Sequence, residues 1–368
     1  MQPAPHVMID ALNLNAGGGS VVMARLAKAL VLKGSRVTVL TARELPECDL
    51  AANGVNILPI PGAHGAIRAY IYRATRLDRL AHDAKADALV SFNYFSPVTL
   101  PQATYHINVI PFLPFRQRRA AVGMPRALLQ PRAAHAALGQ SSINLFESAH
   151  LRELARSSAP EHETDHVAYA GIDIPSQSGP RHSPPRVETV CMITSGAPHK
   201  QNTIALSAFR AFAVSRPMAR LEIFGNTQAI RSSLSPGLRS FCDNSGQVAF
   251  RGYVDRDTLY GTLSTAFALL TASELESFYM VALEAMIVGC PVIAADISSV
   301  RESTGEAAQL FPAGDWRAAA FALDDLTDPD WWCAVSQNGY EWARHFDARK
   351  LSASFADKIL SLIDREAA

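Results

Sequence analysis

The chain has 368 residues, more than one hydrophobic core normally organises, so two domains are expected. Lysine plus arginine number 34 and aspartate plus glutamate 34, so the net charge is zero and no global field selects nucleic acid or a strongly charged partner. With 48% hydrophobic and 18% charged residues the chain reads as globular, and its apolar stretches are broken well before the roughly 18 residues a membrane span needs.

In chain order, apolar runs alternate with helical patterns, as in α/β architecture. Polar, proline-bearing residues precede His6-Val7-Met8-Ile9, so no secretory signal is expected, and residues 6–12 read as a first buried strand. Gly17-Gly18-Gly19 lie in the loop that follows. Three glycines between a strand and a helix let backbone amides approach an anion without hindrance from a Cβ, although the same run also fits a tight turn. The dinucleotide spacing Gly-x-Gly-x-x-Gly is not met, because Val21 or Val22 stands at the third position. Ser20 is expected to cap a helix over 21–33, with Val22, Leu26 and Leu30 on one face and Gly34 ending it before a strand over 36–41. Further strand-like runs at 55–60, 88–92, 103–107 and 142–146 complete a doubly wound domain, assigned to residues 1–175.

Acidic residues are absent between Asp87 and Glu147, where Arg116, Arg118, Arg119, Arg126 and Arg132 are interleaved with Phe112, Phe115, Met124, Leu128 and Leu129. Such a patch suits anionic lipid headgroups, an acceptor phosphate or plain solvent; nucleic acid is disfavoured, since no reading motif accompanies it. Residues 176–186 have the composition of a linker. Strand-like runs at 188–194, 220–225, 247–250, 266–270 and 291–294 then define a second Rossmann-like domain over 187–346, and residues 347–368 are helical in pattern. Lys200 follows the first of these strands and precedes a helical pattern bearing Leu206, Phe209 and Phe212. A lysine there can reach a phosphate as a point charge or sit in a solvated loop. Cys48, Cys191, Cys242, Cys290 and Cys333 are odd in number and lack any Cys-x-x-Cys pair, which points to reduced thiols in the cytosol.

Two carboxylates, Glu276 and Glu284, stand eight residues apart, the second inside an apolar helical pattern that ends in Gly289-Cys290-Pro291. Eight helical residues rise roughly 12 Å, and a start after Glu276 shortens that gap. A nucleoside diphosphate-sugar fits it, one carboxylate accepting from sugar hydroxyls, the other from ribose, with the diphosphate at the helix N-terminus between them. By themselves the acids equally fit a solvated loop and an amphipathic helix. Their surroundings decide: Glu276, Phe278, Val281, Leu283, Glu284-Ala285-Met286, Gly289, Pro291-Val292-Ile293-Ala294, Asp296 and Arg301-Glu302. This pattern resembles the retaining glycosyltransferases of the GT-B fold, family 4, whose motif runs Glu-any-Phe-Gly, apolar residues, Glu-Ala-Met, Gly, Pro-Val-Ile-Ala.

The resemblance implies two Rossmann-like domains facing a cleft, with the C-terminal helix crossing back onto the first. It implies catalytic roles for Glu276, Lys200 and His106, the last lining the sugar pocket. Substrate binding falls to Gly17, Gly18, Gly19, Asn108, Ser195, Phe278, Tyr279, Met280 and Glu284. The family usually places an arginine ahead of the lysine, and Ser195 stands there instead. The implied activity is metal- and cofactor-independent transfer of a hexose, with retention, from a nucleotide-sugar donor to a glycan or lipid-linked glycan acceptor in bacterial-type surface polysaccharide synthesis. The histidines show no ligand spacing, and no Asp-any-Asp ends a strand. A cytoplasmic enzyme is expected, peripheral on the inner face of the membrane if the arginine patch meets lipid. The rivals are a nucleotide-sugar epimerase of the same fold and a non-catalytic nucleotide- or glycan-binding partner.

Overall fold

The computed structural model describes residues 4–14, 17–45, 50–176 and 178–366. Asn15 and Ala16 ahead of the glycines, Cys48, and Gln177 of the linker segment lie outside the described residues. The chain divides into two compact units, residues 1–171 with 348–368, and residues 172–347.

The first unit holds a parallel sheet of seven strands: β1 (His6–Asp10), β2 (Arg36–Thr41), β3 (Asn56–Pro59), β4 (Ala88–Phe92), β5 (Gln102–His106), β6 (Ile143–Phe146) and β7 (Asp165–Val167), in the order β3-β2-β1-β4-β5-β6-β7. Strands β1, β4, β5 and β6 are buried along their whole length, as in a sheet covered on both faces. Strands β1, β4 and β6 are mainly apolar, whereas β5 alternates Gln102, Thr104 and His106 with Ala103 and Tyr105. The connecting helices are α1 (Gly18–Leu32), α2 (Ala66–Tyr72), α3 (Asp78–Asp83), α4 (Phe115–Val122), α5 (Met124–Gln140) and α6 (Ala149–Arg156), with a π-helical turn, Arg73–Leu77, between α2 and α3. The C-terminal helix, Ala348–Glu366, packs against α1 and β4, its Phe355 ring 4.7 Å from that of Tyr105.

Helix α1 begins at Gly18, not beyond Ser20. Gly17 adopts φ +137, and Ser20, now inside the first turn, folds its hydroxyl back to donate to the Gly17 carbonyl at 2.8 Å and accept from the Gly17 amide at 3.1 Å. The glycine supplies the turn and the serine closes it from within.

The second unit holds six parallel strands: β8 (Thr189–Thr194), β9 (Arg220–Gly225), β10 (Val248–Gly252), β11 (Ala268–Thr271), β12 (Val292–Asp296) and β13 (Gln309–Pro312), in the order β10-β9-β8-β11-β12-β13. Its helices are α7 (Asn202–Ala213), α8 (Thr227–Ser233), α9 (Pro236–Asn244), α10 (Arg256–Leu263), α11 (Met280–Met286), α12 (Ser298–Thr304), α13 (Trp316–Asp325) and α14 (Pro329–Ala343). Phe209, Phe212, Phe267, Phe311 and Trp332 anchor its core. The segment with linker composition is fastened to this unit. The Arg181 amide donates to Ser336 Oγ at 2.9 Å, and its guanidinium stacks 4.7 Å from the Trp332 ring while donating to the Ala266 carbonyl.

A buried ion pair joins β1 to the π-helical turn in the first unit. Asp10, the last residue of β1, receives the Arg73 guanidinium through Nε and, at 2.9 Å, through Nη2. The Ser96 hydroxyl and the Leu12 amide also donate to it, at 2.9 and 3.1 Å. Burial by itself would raise the Asp10 pKa, but the Arg73 charge and these hydrogen bonds hold it below its ordinary 3.8. Removing either partner strands a buried charge, so Asp10→Ala or Arg73→Ala should each cost about 3–5 kcal/mol in urea unfolding. Because the folded pKa lies below the unfolded one, this stabilisation is present above pH 3.8 and fades as acid takes the carboxyl through its lower folded value. A mutant with wild-type stability at neutral pH would show that the pair contributes nothing.

Candidate functional site

Ligands of doubly wound sheets gather beyond the C-terminal strand ends where the strand order reverses. In the second unit that point lies between the neighbours β8 and β11, so the loops leaving Thr194 and Thr271 start side by side. Gly196 turns the first loop with φ +80, and a Cβ there would stand 2.8 Å from Ala229 Cβ and from the Ile230 amide nitrogen, so only glycine fits. The loop closes through a short turn, Pro198–Lys200. It is joined to the second loop by the Glu274 amide donating to the His199 carbonyl at 2.9 Å and by Gln201 Nε2 donating to Glu274 at 2.8 Å.

This stitching brings Lys200 to Glu276: Nζ donates to Oε1 at 2.6 Å. Beneath the pair lies Tyr279, 3% exposed, with its ring centroid 5.9 Å from Nζ. Tyr279 stands where the resembled motif has glycine, and its φ of −98 needs none. Burial, then the Glu276 charge, pushes its phenol well up, so it stays protonated. Burial and then the Lys200 charge hold His199 below its ordinary 6.5 against the pull of Glu276, leaving a neutral imidazole beside the pair. Ser195 is exposed on the same loop, its hydroxyl accepting from the Ala197 amide at 3.4 Å.

Glu284 lies on α11 and is 5% exposed. The Arg256 guanidinium, from the first residue of α10, donates to its Oε1 and comes within 4.0 Å of Asp173 Oδ2. Sequence reasoning missed Arg256, because Asp255-Arg256-Asp257 looks like any charged helix start. Phe278 faces the core, its ring 5.6 Å from that of Phe346, while Met280 is half-buried at the start of α11.

In the first unit the order reverses between β1 and β4, and the glycine loop follows β1. Gly19 lies against the residue after β5: a Cβ there would come 2.7 Å from Ile107 Cδ1. Asn108 is half-buried nearby, with Oδ1 accepting from the Ile110 amide at 3.0 Å. His106 points into the core. Its Nε2 pairs with Asn144 Oδ1 at 3.0 Å, its ring stacks 4.8 Å from that of Phe146, and its Nδ1 is buried without a hydrogen-bond partner. The structure thus gathers Lys200, Glu276 and Tyr279, sets Glu284 on the helix that Tyr279 precedes with Arg256 of α10 paired to it, and places His106, Asn108 and the glycines in the other unit.

Two doubly wound, all-parallel α/β units make this a GT-B fold. Among solved structures the chain is similar to sucrose-phosphate synthase from Thermosynechococcus elongatus (16% identity, TM-score 0.75, 98% of this chain and 100% of that one). It is similar to Anabaena HepE in complex with UDP and glucose (15%, 0.72, 97% and 100%). It is also similar to WaaG, a glycosyltransferase involved in lipopolysaccharide biosynthesis (16%, 0.74, 96% and 99%). Residues 188–328, most of the second unit, match the family described as Glycosyl transferases group 1. No curated protein matches the chain.

Burial lowers the His106 pKa from 6.5 to about 4, so folding excludes a proton that the unfolded chain binds between those values. Stability should therefore fall as pH drops through that window, by a total on the order of 3 kcal/mol from this group. His106→Gln, which cannot titrate, should flatten this part of the pH profile in urea unfolding. An unchanged slope would show that His106 takes up its proton without cost in the folded state.

Proposed function

We propose that the chain is a retaining glycosyltransferase that moves a hexose from a nucleoside diphosphate-sugar to a hydroxyl of a glycan or lipid-linked glycan during synthesis of a surface polysaccharide. The observation that carries this reading is the 2.6 Å contact of Lys200 with Glu276 at the β8–β11 reversal, with the buried Glu284 on the helix that follows. The group 1 match over 188–328, the UDP and glucose in the HepE complex and the printed role of WaaG all support it.

In this reading Glu284 accepts hydrogen bonds from the ribose and Glu276 from the sugar hydroxyls. The Lys200 ammonium carries three N–H groups. One remains on Glu276 while the others meet the diphosphate as charge builds on it, so stabilisation of the leaving group is assigned to this lysine rather than to a metal ion. The departing phosphate oxygen takes the acceptor's proton, and the protein contributes chiefly position and charge. The rival reading, a non-catalytic nucleotide or glycan binder, is favoured by Ser195, which brings no cation to its exposed loop position.

Calorimetry and turnover on two variants test the reading. Glu284→Ala should weaken free nucleoside diphosphate by roughly 1.5–3 kcal/mol, the worth of a hydrogen bond to a charged group. Glu276→Ala should cut turnover while leaving sugar-free nucleotide affinity close to wild type. Nucleotide affinity untouched by Glu284→Ala in a folded protein would remove the ribose assignment. Tight nucleotide-sugar binding with no transfer to any glycan acceptor would favour the rival.

We assign the arginine patch to an anionic membrane surface. Among the described residues no helix is long and apolar enough to cross a membrane. Helix α4 buries none of its residues, and Phe115, Met124, Leu128 and Leu129 are exposed beside Arg116, Arg119, Arg126 and Arg132. Arg118 differs: its guanidinium donates to the Leu113 carbonyl and, at 3.3 Å, to that of Ala127, so it braces the patch from within. Neutralising Arg116, Arg119 and Arg126 together should cost about 3 kcal/mol of binding to phosphatidylserine-containing vesicles at low salt, leave nucleotide affinity intact, and matter less as salt rises. A triple variant matching wild type on vesicles would leave these arginines as solvated surface.

A further inference from the structure

We infer that Arg256 is the positioning residue for Glu284, holding that carboxylate charged and aimed so that it selects a nucleotide bearing ribose hydroxyls. The inference rests on the assignment of Glu284 to ribose. A carboxylate only 5% exposed is costly to keep ionised without a charged partner, and its partner here is Arg256.

The guanidinium is itself held from a second side. Its Nη1 stands 4.0 Å from Asp173 Oδ2, and the main chain of Asp173 is fixed by the Tyr260 hydroxyl donating to its carbonyl at 3.2 Å. Tyr260 lies on α10, the helix that Arg256 begins, and the side chain of Asp255 caps that helix by accepting from the Thr258 amide at 2.8 Å. Arg256 is therefore delivered from a fixed helix end rather than from a loose loop. Its side chain is 36% exposed against 7% for that of Glu284, so solvent reaches the pair from the guanidinium side.

An ionised carboxylate accepts about four hydrogen bonds over its two oxygens. Arg256 engages Oε1, and the capacity on Oε2 suits the adjacent 2′ and 3′ hydroxyls of a ribose. Without the guanidinium, Glu284 would take a proton or rotate away, and either change removes acceptors from the hydroxyls. Arg256 would then touch no reacting atom; it would act through Glu284.

The test measures binding of UDP, GDP and ADP, each beside its 2′,3′-dideoxy counterpart, to wild type, Arg256→Met and Arg256→Lys, with thermal melting to confirm folding. Wild type should prefer the ribose form of its best-bound nucleotide by about tenfold or more, the scale of a hydrogen bond to a charged group. Arg256→Met, which keeps an unbranched apolar stem without the charge, should bring that preference close to one, and Arg256→Lys should restore part of it. A weaker nucleotide with the wild-type preference intact would place Arg256 on the phosphates or in structure alone and overturn the inference, while the ribose reading stands. A wild-type preference near one would overturn the ribose reading and the inference together.

Discussion

The thirteen strands of the described residues all run parallel within their sheets, and that constraint decides where chemistry can sit. A parallel sheet sends every strand end of one polarity to the same edge, and crossover helices cover its faces, so polar side chains collect in the loops at that edge. Where the strand order reverses, the crossovers leave in opposite directions and two neighbouring loops are left uncovered. In the second unit these are the loops after Thr194 and Thr271, and residues 76 positions apart in sequence meet there as Lys200 and Glu276.

Each site carboxylate in that unit carries its own cation: Lys200 on Glu276 and Arg256 on Glu284. The two pairs differ in what they permit. Lysine is a point charge on a flexible stem, able to share its donors with an incoming phosphate, whereas arginine is a planar fork that fixes the group it holds. On the proposed function, a lysine facing phosphate and an arginine orienting a carboxylate divide the labour, and exchanging the two would serve neither.

The continuous apolar runs of fully buried strands were legible, and eleven strand-like segments fall on β1–β6 and β8–β12. The other two strands, β7 and β13, one at an edge of each sheet, were not. Asp165–Val167 is only half-buried and carries Asp165 and His166, and Gln309–Pro312 ends in a proline, so neither shows the apolar run or clean alternation that marks a strand. Lys200, Glu276 and Glu284 were legible because each sits in a motif with its own local context. Arg256 was not, since what distinguishes it is a carboxylate 28 positions away. The inward aim of His106 was hidden for a related reason: in a strand buried on both faces, alternation carries no information about which side chains meet solvent. The fastening of residues 179–181 to the second unit was invisible too, because it depends on Trp332 and Ser336, far along the chain.

Two departures from the resembled motif bear on the same lysine, and so on each other. Ser195 removes a guanidinium from the loop after β8, while Tyr279 adds a ring below the remaining ammonium. An aromatic face attracts a cation, and a buried ring displaces water that would otherwise screen it. The 3% exposure of Tyr279 means that the ring supports Lys200 from beneath without occupying the space above, where an anion would approach. A single cation with a dry underside acts on a phosphate through a lower effective dielectric than one solvated all round, so loss of the second cation and gain of the ring work in opposite directions on leaving-group stabilisation. On the proposed function, the character of Tyr279, rather than that of Ser195 alone, sets how far Lys200 carries a diphosphate's charge unaided.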